Sequence, residues 1–298
     1  MTSSSCIERC RLLSSKRDVQ NSKCWRAIAA ECLGTILFVM LVTGCNVFMG
    51  EVQVKDVKYL QIALGEGLAY ATMIWVFGAV SGGHFNPAIT LGYLFTRRIS
   101  LFKAMAYIII QILSGIVGVA IVKGMTAKNY WVAQAATVIH KNISLGQAFG
   151  VETMITFVLA MVIFAAYDYR RYDLKGSGPL AIGLAVVVGN LFGAAQTTSS
   201  MNPALSLAAA IFTNKWTDHW VFWVGPIPGA IVGALIYDQI FATNASVLRA
   251  KAWWCCCHYE PNDTRDDELD DVQKVNTNNA NISMQTITET DGRVIYRL

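Results

Sequence analysis

The sequence predicts an all-α membrane protein of six transmembrane helices plus two re-entrant half-helices, arranged as an inverted repeat. Three observations carry that prediction. The 298 residues are 54% hydrophobic and only 15% charged, with a mean hydropathy of +0.41, whereas a soluble domain is about 25% charged. Six apolar stretches, about 27–49, 60–79, 102–123, 147–167, 178–198 and 220–242, approach the roughly 20 residues needed to cross a bilayer. The tripeptide Asn-Pro-Ala occurs twice, at Asn86-Pro87-Ala88 and Asn202-Pro203-Ala204. Each copy opens an apolar run, 88–95 or 204–212, that is too short to span.

Charge orients the six spans. Residues 1–26 hold Arg9, Arg11, Lys16, Arg17, Lys23 and Arg26 and no short apolar core ending in a small-residue cleavage site, so they read as a cytoplasmic segment and not as a signal peptide. The turn with Arg97, Arg98 and Lys103 and the loop with Arg170, Arg171 and Lys175 then lie on the same side, against Lys55, Lys58, Lys123, Lys128, Lys141 and Lys215 opposite. Twelve cations inside against six outside satisfy the positive-inside rule, with both termini cytoplasmic. The net charge of +4 follows from that rule, and its scattered cations give no sign of nucleic-acid binding.

The chain is written twice. "AECLGTILFVML" in the first span, with Glu31 and Thr35, is echoed by "VETMITFVLAMV" in the fourth, with Glu152 and Thr156; the following Asn-Pro-Ala lies 55 residues after Glu31 and 50 after Glu152. Each half holds three spans, an odd number, so the second half enters the membrane inverted, which places a site at the midplane between the halves. Repeats of about 27–124 and 147–245 make one domain, 27–245, followed by a tail, 246–298. Asn is a favoured N-cap and Pro suits the first helical position, so each motif starts a helix abruptly inside the membrane. Two such starts from opposite sides meet end to end, each bearing about half a positive charge. Both asparagines are then expected to offer amide hydrogens to a shared lumen, and Gly82 and Gly83 to allow a tight re-entrant turn.

The motifs "AAECLGT", "SGGHFNPAITLG", "SMNPALS" and "HWVFWVGP" resemble the aquaporin (major intrinsic protein) family over roughly residues 25–245. The resemblance implies an eight-segment bundle, a pore in each protomer and a homotetramer in the lipid bilayer. It implies that Asn86 and Asn202 orient permeants and, with the helix ends, repel cations. It further implies that Glu31 and Glu152 brace the re-entrant loops, since intramembrane carboxylates are expensive unless satisfied, and that Gln111 supports a loop. His84 reads as a packed loop residue. Gly225, Gly229 and Gly233 form a small-residue ridge for helix packing.

The resemblance also implies a second constriction on the outer side, and there this chain departs. Water-specific members place an aromatic, a His, a small residue or Cys, and an Arg in that ring. Gap-free counting from the motifs puts Glu66 at the aromatic position, Asn190 at the His, Ser199 at the small position and Leu205 at the Arg. Loss of Arg removes a fixed cation and five donors, loss of both rings widens the aperture, and Glu66 and Asn190 add acceptors. Ser206, Ala210, Phe222 and Trp223 instead match the water-channel branch, so the pattern is a water-channel lineage with an aquaglyceroporin-like filter, similar to insect members that exchanged the filter His.

The expected function is a passive channel for water and small neutral solutes such as glycerol, polyols or urea. An ion-conducting or a non-conducting scaffold member of the family is the alternative. No nucleotide loop, catalytic cluster or cofactor motif suggests an enzyme. Cys255, Cys256 and Cys257 beside two tryptophans read as palmitoylation sites or as unmodified cysteines, and no second ligand pair at zinc-like spacing accompanies them. Cys32 and Cys45 are expected away from the filter. Asn142 alone among four sequons falls on the outer side, where glycosylation is open to it. The polar tail, with "NDTRDDELDD", lacks the apolar residues to fold alone.

Overall fold

The computed structural model describes residues 15–47, 55–126, 137–171, 173 and 176–255. A short α1 (Ser15–Gln20) leads into α2 (Ser22–Val47), followed by α3 (Lys55–Ser81), the half-helix α4 (Pro87–Phe95) and α5 (Leu101–Met125). The second half repeats this order with α6 (Leu145–Ala166), α7 (Gly178–Thr197), the half-helix α8 (Pro203–Thr213), α9 (Val221–Val224) and α10 (Pro226–Ile236). A π-turn (Tyr237–Phe241) and α11 (Val247–Cys255) complete it. Among the described residues, six helical stretches are long and apolar enough to span, the last being Val221–Phe241. Local sequence sets their starts. Ser100, Ser144 and Ser177 accept from the backbone N–H three residues on in α5, α6 and α7, and Ser144 with Gln147 completes a capping box, the pairing expected of such N-caps.

Packing shows the two halves as matched sets. Helix α2 packs on α5 as α6 packs on α10, and α3 meets α7 across the pseudo-symmetry axis. Each half-helix lies against the last span of the opposite half, α4 on α10 and α8 on α5. At the axis, a Cβ on Gly67 would stand 2.4 Å from the Gly183 carbonyl, and one on Gly183 would stand 2.4 Å from the Gly67 carbonyl. Both glycines lie nineteen residues before their motif asparagine, so close backbone approach is built in at the same place in each half. The ridge expected at Gly229 and Gly233 abuts the Thr153 and Phe157 carbonyls of α6. Outward-facing apolar residues such as Trp75, Val188 and Phe192 are more than half exposed and belong against lipid.

The sixth expected span is present as Val221–Phe241 and is built from shorter pieces. Pro226 lacks an N–H to continue the ladder, so the chain breaks at Gly225 into α9 and α10 and ends in the π-turn. The tail, expected to be largely without a fold, starts with helix α11, ahead of the polar stretch from about 259 that lies outside the described residues. Arg249 on α11 reaches the Asp238 carboxylate at 2.9 and 3.0 Å, and Trp253 Nε1 donates to the Phe95 carbonyl at 3.1 Å. Asp238 also accepts from Arg98 at 3.2 Å, so a buried carboxylate ties α11 to the α4–α5 turn, with the Arg98 guanidinium 4.3 Å from the Phe164 ring centre. Cys255 ends α11, while Cys256, Cys257 and the rest of the tail lie outside the described residues.

Candidate functional site

The re-entrant loops repeat each other closely, with one extra donor in the first. Glu31 Oε1 accepts from Ser81 Oγ (2.7 Å) and the His84 N–H (2.8 Å), and Oε2 from the Phe85 N–H and Gln111 Nε2 (both 2.8 Å). Glu152 Oε1 accepts from Thr197 Oγ1 (2.6 Å) and the Ser200 N–H (3.0 Å), and Oε2 from the Met201 N–H (3.0 Å). Ser81 and Thr197 both lie five residues before the motif asparagine, and the N–H pairs come from the two residues before it. Gln111 also bonds Thr90 of α4, with Nε2 to Oγ1 at 3.0 Å. Both carboxylates are fully buried, and these bonds are what makes such burial tolerable. His84 is packed as expected, stacked on Tyr93 at 4.1 Å with Nδ1 3.1 Å from Thr90 Oγ1.

Backbone conformation repeats as well. Gly82 and Gly83 have φ of 91° and 63°, and at the same offsets the second loop has Thr198 and Ser199 at 59° and 51°, with Phe85 and Met201 at 48° and 51° beside the asparagines. Left-handed backbone is cheap for glycine and strained for the other residues. The strained conformation is held by bonds such as the Val138 N–H to Thr198 Oγ1 at 2.9 Å and those to Glu152. Sequence reading found the glycines and missed their non-glycine counterparts.

At the centre, each asparagine caps its own half-helix. Asn86 Oδ1 accepts from the Ala88 N–H at 2.9 Å; Asn202 Oδ1 accepts from the N–H groups of Ala204 (3.0 Å) and Leu205 (3.4 Å). Each amide also crosses to the other loop, Asn86 Nδ2 to the Met201 carbonyl and Asn202 Nδ2 to the Phe85 carbonyl, both at 2.8 Å. One hydrogen of each amide thus stitches the two halves together. Pro87, Ala88, Pro203 and Ala204 form the buried first turns.

Toward the other end of α3 and α7, Glu66 and Asn190 meet. Asn190 Nδ2 donates to Glu66 Oε2 at 2.8 Å, and Asn46 Nδ2, from α2, donates to Glu66 Oε1 at 3.1 Å. Glu66 is thus a carboxylate held by one amide on each oxygen, with lone pairs to spare. Ser199 Oγ donates to the Gly189 carbonyl at 3.3 Å, and Leu205 is buried in the first turn of α8. Asn46 escaped notice because it belongs to no motif. Cys45 is likewise misplaced by the sequence reading: a Cβ on Gly65 would stand 2.8 Å from its Sγ, which puts it next to Glu66. Asn142 is exposed in the turn before α6.

Six spans, two opposed half-helices capped by paired asparagines and an inverted repeat define a membrane channel and not an enzyme. The sequence matches the family model described as major intrinsic protein over residues 18–237, and the chain belongs to that family. It is 40% identical over 226 residues to aquaporin-4 of Mus musculus, covering 76% of this chain and 70% of that one. It is 43% identical over 216 residues to the lens fiber major intrinsic protein of Lithobates pipiens, covering 72% and 81%. Among solved structures, the aquaglyceroporin from Plasmodium falciparum superposes with a TM-score of 0.65 at 25% identity, covering 73% of this chain and 97% of that one.

Proposed function

We propose that this protein is a passive channel for water and small neutral solutes (glycerol, polyols and urea), with Glu66, Asn190, Ser199 and Leu205 forming its outer selectivity ring. The observation that carries this reading is the 2.8 Å bond between Asn190 and Glu66, residues 124 apart in sequence that the ring requires to be neighbours. An apolar Leu205 and an amide-bound carboxylate replace the fixed cation and rings of a water-only filter, so a permeant with hydroxyl or amide hydrogens finds acceptors there. Asn86, Pro87, Ala88, Asn202, Pro203 and Ala204 form the central barrier, where two helix N-termini oppose cations. Glu31, Glu152 and Gln111 brace the loops that carry it.

The channel domain, 27–245, works as a homotetramer in the plasma membrane with both termini cytoplasmic, and Asn142 is available for glycosylation outside. Cys255, Cys256 and Cys257 are candidate sites for a lipid anchor. Purified protein in liposomes tests the function. Water, glycerol and urea flux above that of empty vesicles, without ion current, is the expected result. Ion current scaling with protein, or no flux at all, would replace this reading with a conducting or a scaffold one.

A further inference from the structure

The carboxylate of Glu66 is gripped from both sides, and the grip leaves a chemical asymmetry. Asn46 Nδ2 takes Oε1 and Asn190 Nδ2 takes Oε2. Asn190 Nδ2 also donates to the Val186 carbonyl at 3.2 Å, so both of its hydrogens are spent. Among the described residues the other end of each amide has nothing to bind: Asn46 Oδ1 and Asn190 Oδ1 are buried oxygens with no hydrogen-bond partner there, and Asn190 is fully buried. Buried polar atoms are ordinarily satisfied, and two orphan carbonyl oxygens flanking one carboxylate are unusual. The neighbouring Ser199 hydroxyl already donates to Gly189, and Leu205 offers no polar side-chain atom. What remains at this level is acceptor capacity: two amide oxygens and the remaining lone pairs of a carboxylate.

We infer that Asn46, Glu66 and Asn190 form an acceptor wall that favours solutes with an NH2 edge, urea and small primary amides, over polyols, with Asn46 as a specificity residue. The inference rests on the pore-lining reading of Glu66 and Asn190 given above. A hydroxyl group in water both donates and accepts, and against an acceptor wall it recovers only the donated bond. The NH2 edge of urea only donates, so the same wall repays all that this edge loses on leaving water. Asn46 does this in two ways, by fixing the Glu66 carboxylate and by presenting its own oxygen.

The test uses the full chain in liposomes, with urea and glycerol uptake measured on one preparation and folding checked by the elution profile. The permeability ratio is independent of how much protein inserts. The parent is expected to pass urea faster than glycerol. Asn46→Leu removes the donor and the orphan acceptor, and should lower the urea-to-glycerol ratio by about fivefold or more, as loss of one such bond implies. Glu66→Gln, which puts a donor where an oxygen stood, should lower it as well and serves if Asn46→Leu does not fold. A parent that favours glycerol, or a ratio unchanged in the folded variants, overturns the inference while leaving the channel reading in place. A parent that passes neither solute overturns the channel reading, and this inference with it.

Discussion

Replacing Glu31 by Gln should damage the protein about as much as replacing Glu152 by Gln, although Glu31 has one more donor around it. Glu31 receives four donors, two on each oxygen, and Glu152 receives three, two on Oε1 and one on Oε2. A glutamine keeps one acceptor oxygen and turns an NH2 group toward the donors on the other side. At position 31, with the oxygen turned toward Phe85 and Gln111, the Ser81 hydroxyl can rotate to accept from the new NH2 group and only the His84 N–H is orphaned. At position 152, with the oxygen turned toward Thr197 and Ser200, only the Met201 N–H is orphaned. Each buried donor left unsatisfied costs about 1–3 kcal/mol, so each of the two changes costs about that much. Thermal unfolding of the purified variants in one detergent, together with the fraction reaching the membrane, measures both costs. A Glu31→Gln protein far less stable than Glu152→Gln, or either variant as stable as the parent, would refute the claim that these hydrogen bonds set the cost.

Other perturbations probe separate parts of the structure. Ser199→Cys in a Cys45→Ser background should create a block by mercurials, read as loss of water flux that a thiol restores; without a block, Ser199 does not line the pore. Asn142→Gln should abolish any glycosidase-sensitive mass shift of protein expressed in a secretory host, whereas a shift that persists and maps to Asn262 or Asn281 inverts the topology. Asp238→Asn strips a buried partner from Arg98 and Arg249, a loss of about 3–5 kcal/mol for a buried pair. Limited proteolysis should then cut near α11 faster than in the parent, and an unchanged rate would mean that Asp238 does not hold α11.

The parts of this molecule that were legible in the sequence are those that physics ties to spacing. Six apolar runs had to be spans, and Asn202-Pro203 had to begin a helix wherever the chain placed it, because cap and proline act locally. Glu66 and Asn190 could be brought together only by counting from those two landmarks, and they do bond. The break at Gly225 was foreshadowed by Pro226, whose missing N–H is visible in sequence, but the apolar run around it masked the signal. Asn46 was invisible because nothing local marks it; only the packing of α2 beside α3 brings its amide to Glu66. Ser199 and Met201 could not be read as strained either, since the left-handed turn they adopt is imposed by Glu152 from another helix. Ser81 and Thr197, at equal distance from their motifs, were a repeat signal that could have been found by aligning the two halves.

The claim that this channel's selectivity resides in the altered outer ring is tested most directly by rebuilding a water-only ring. Glu66→Phe, Asn190→His and Leu205→Arg together restore two rings and a fixed cation and remove the amide-bound carboxylate at the Glu66–Asn190 contact. Water is small enough to pass such a ring, whereas glycerol or urea must shed more hydration and fit a larger body through it. Stopped-flow measurement of all three on the same liposomes should show water permeability within several-fold of the parent and most glycerol and urea flux gone. A folded triple variant with the parent's glycerol-to-water and urea-to-water ratios would contradict the assignment and move the filter elsewhere in the pore.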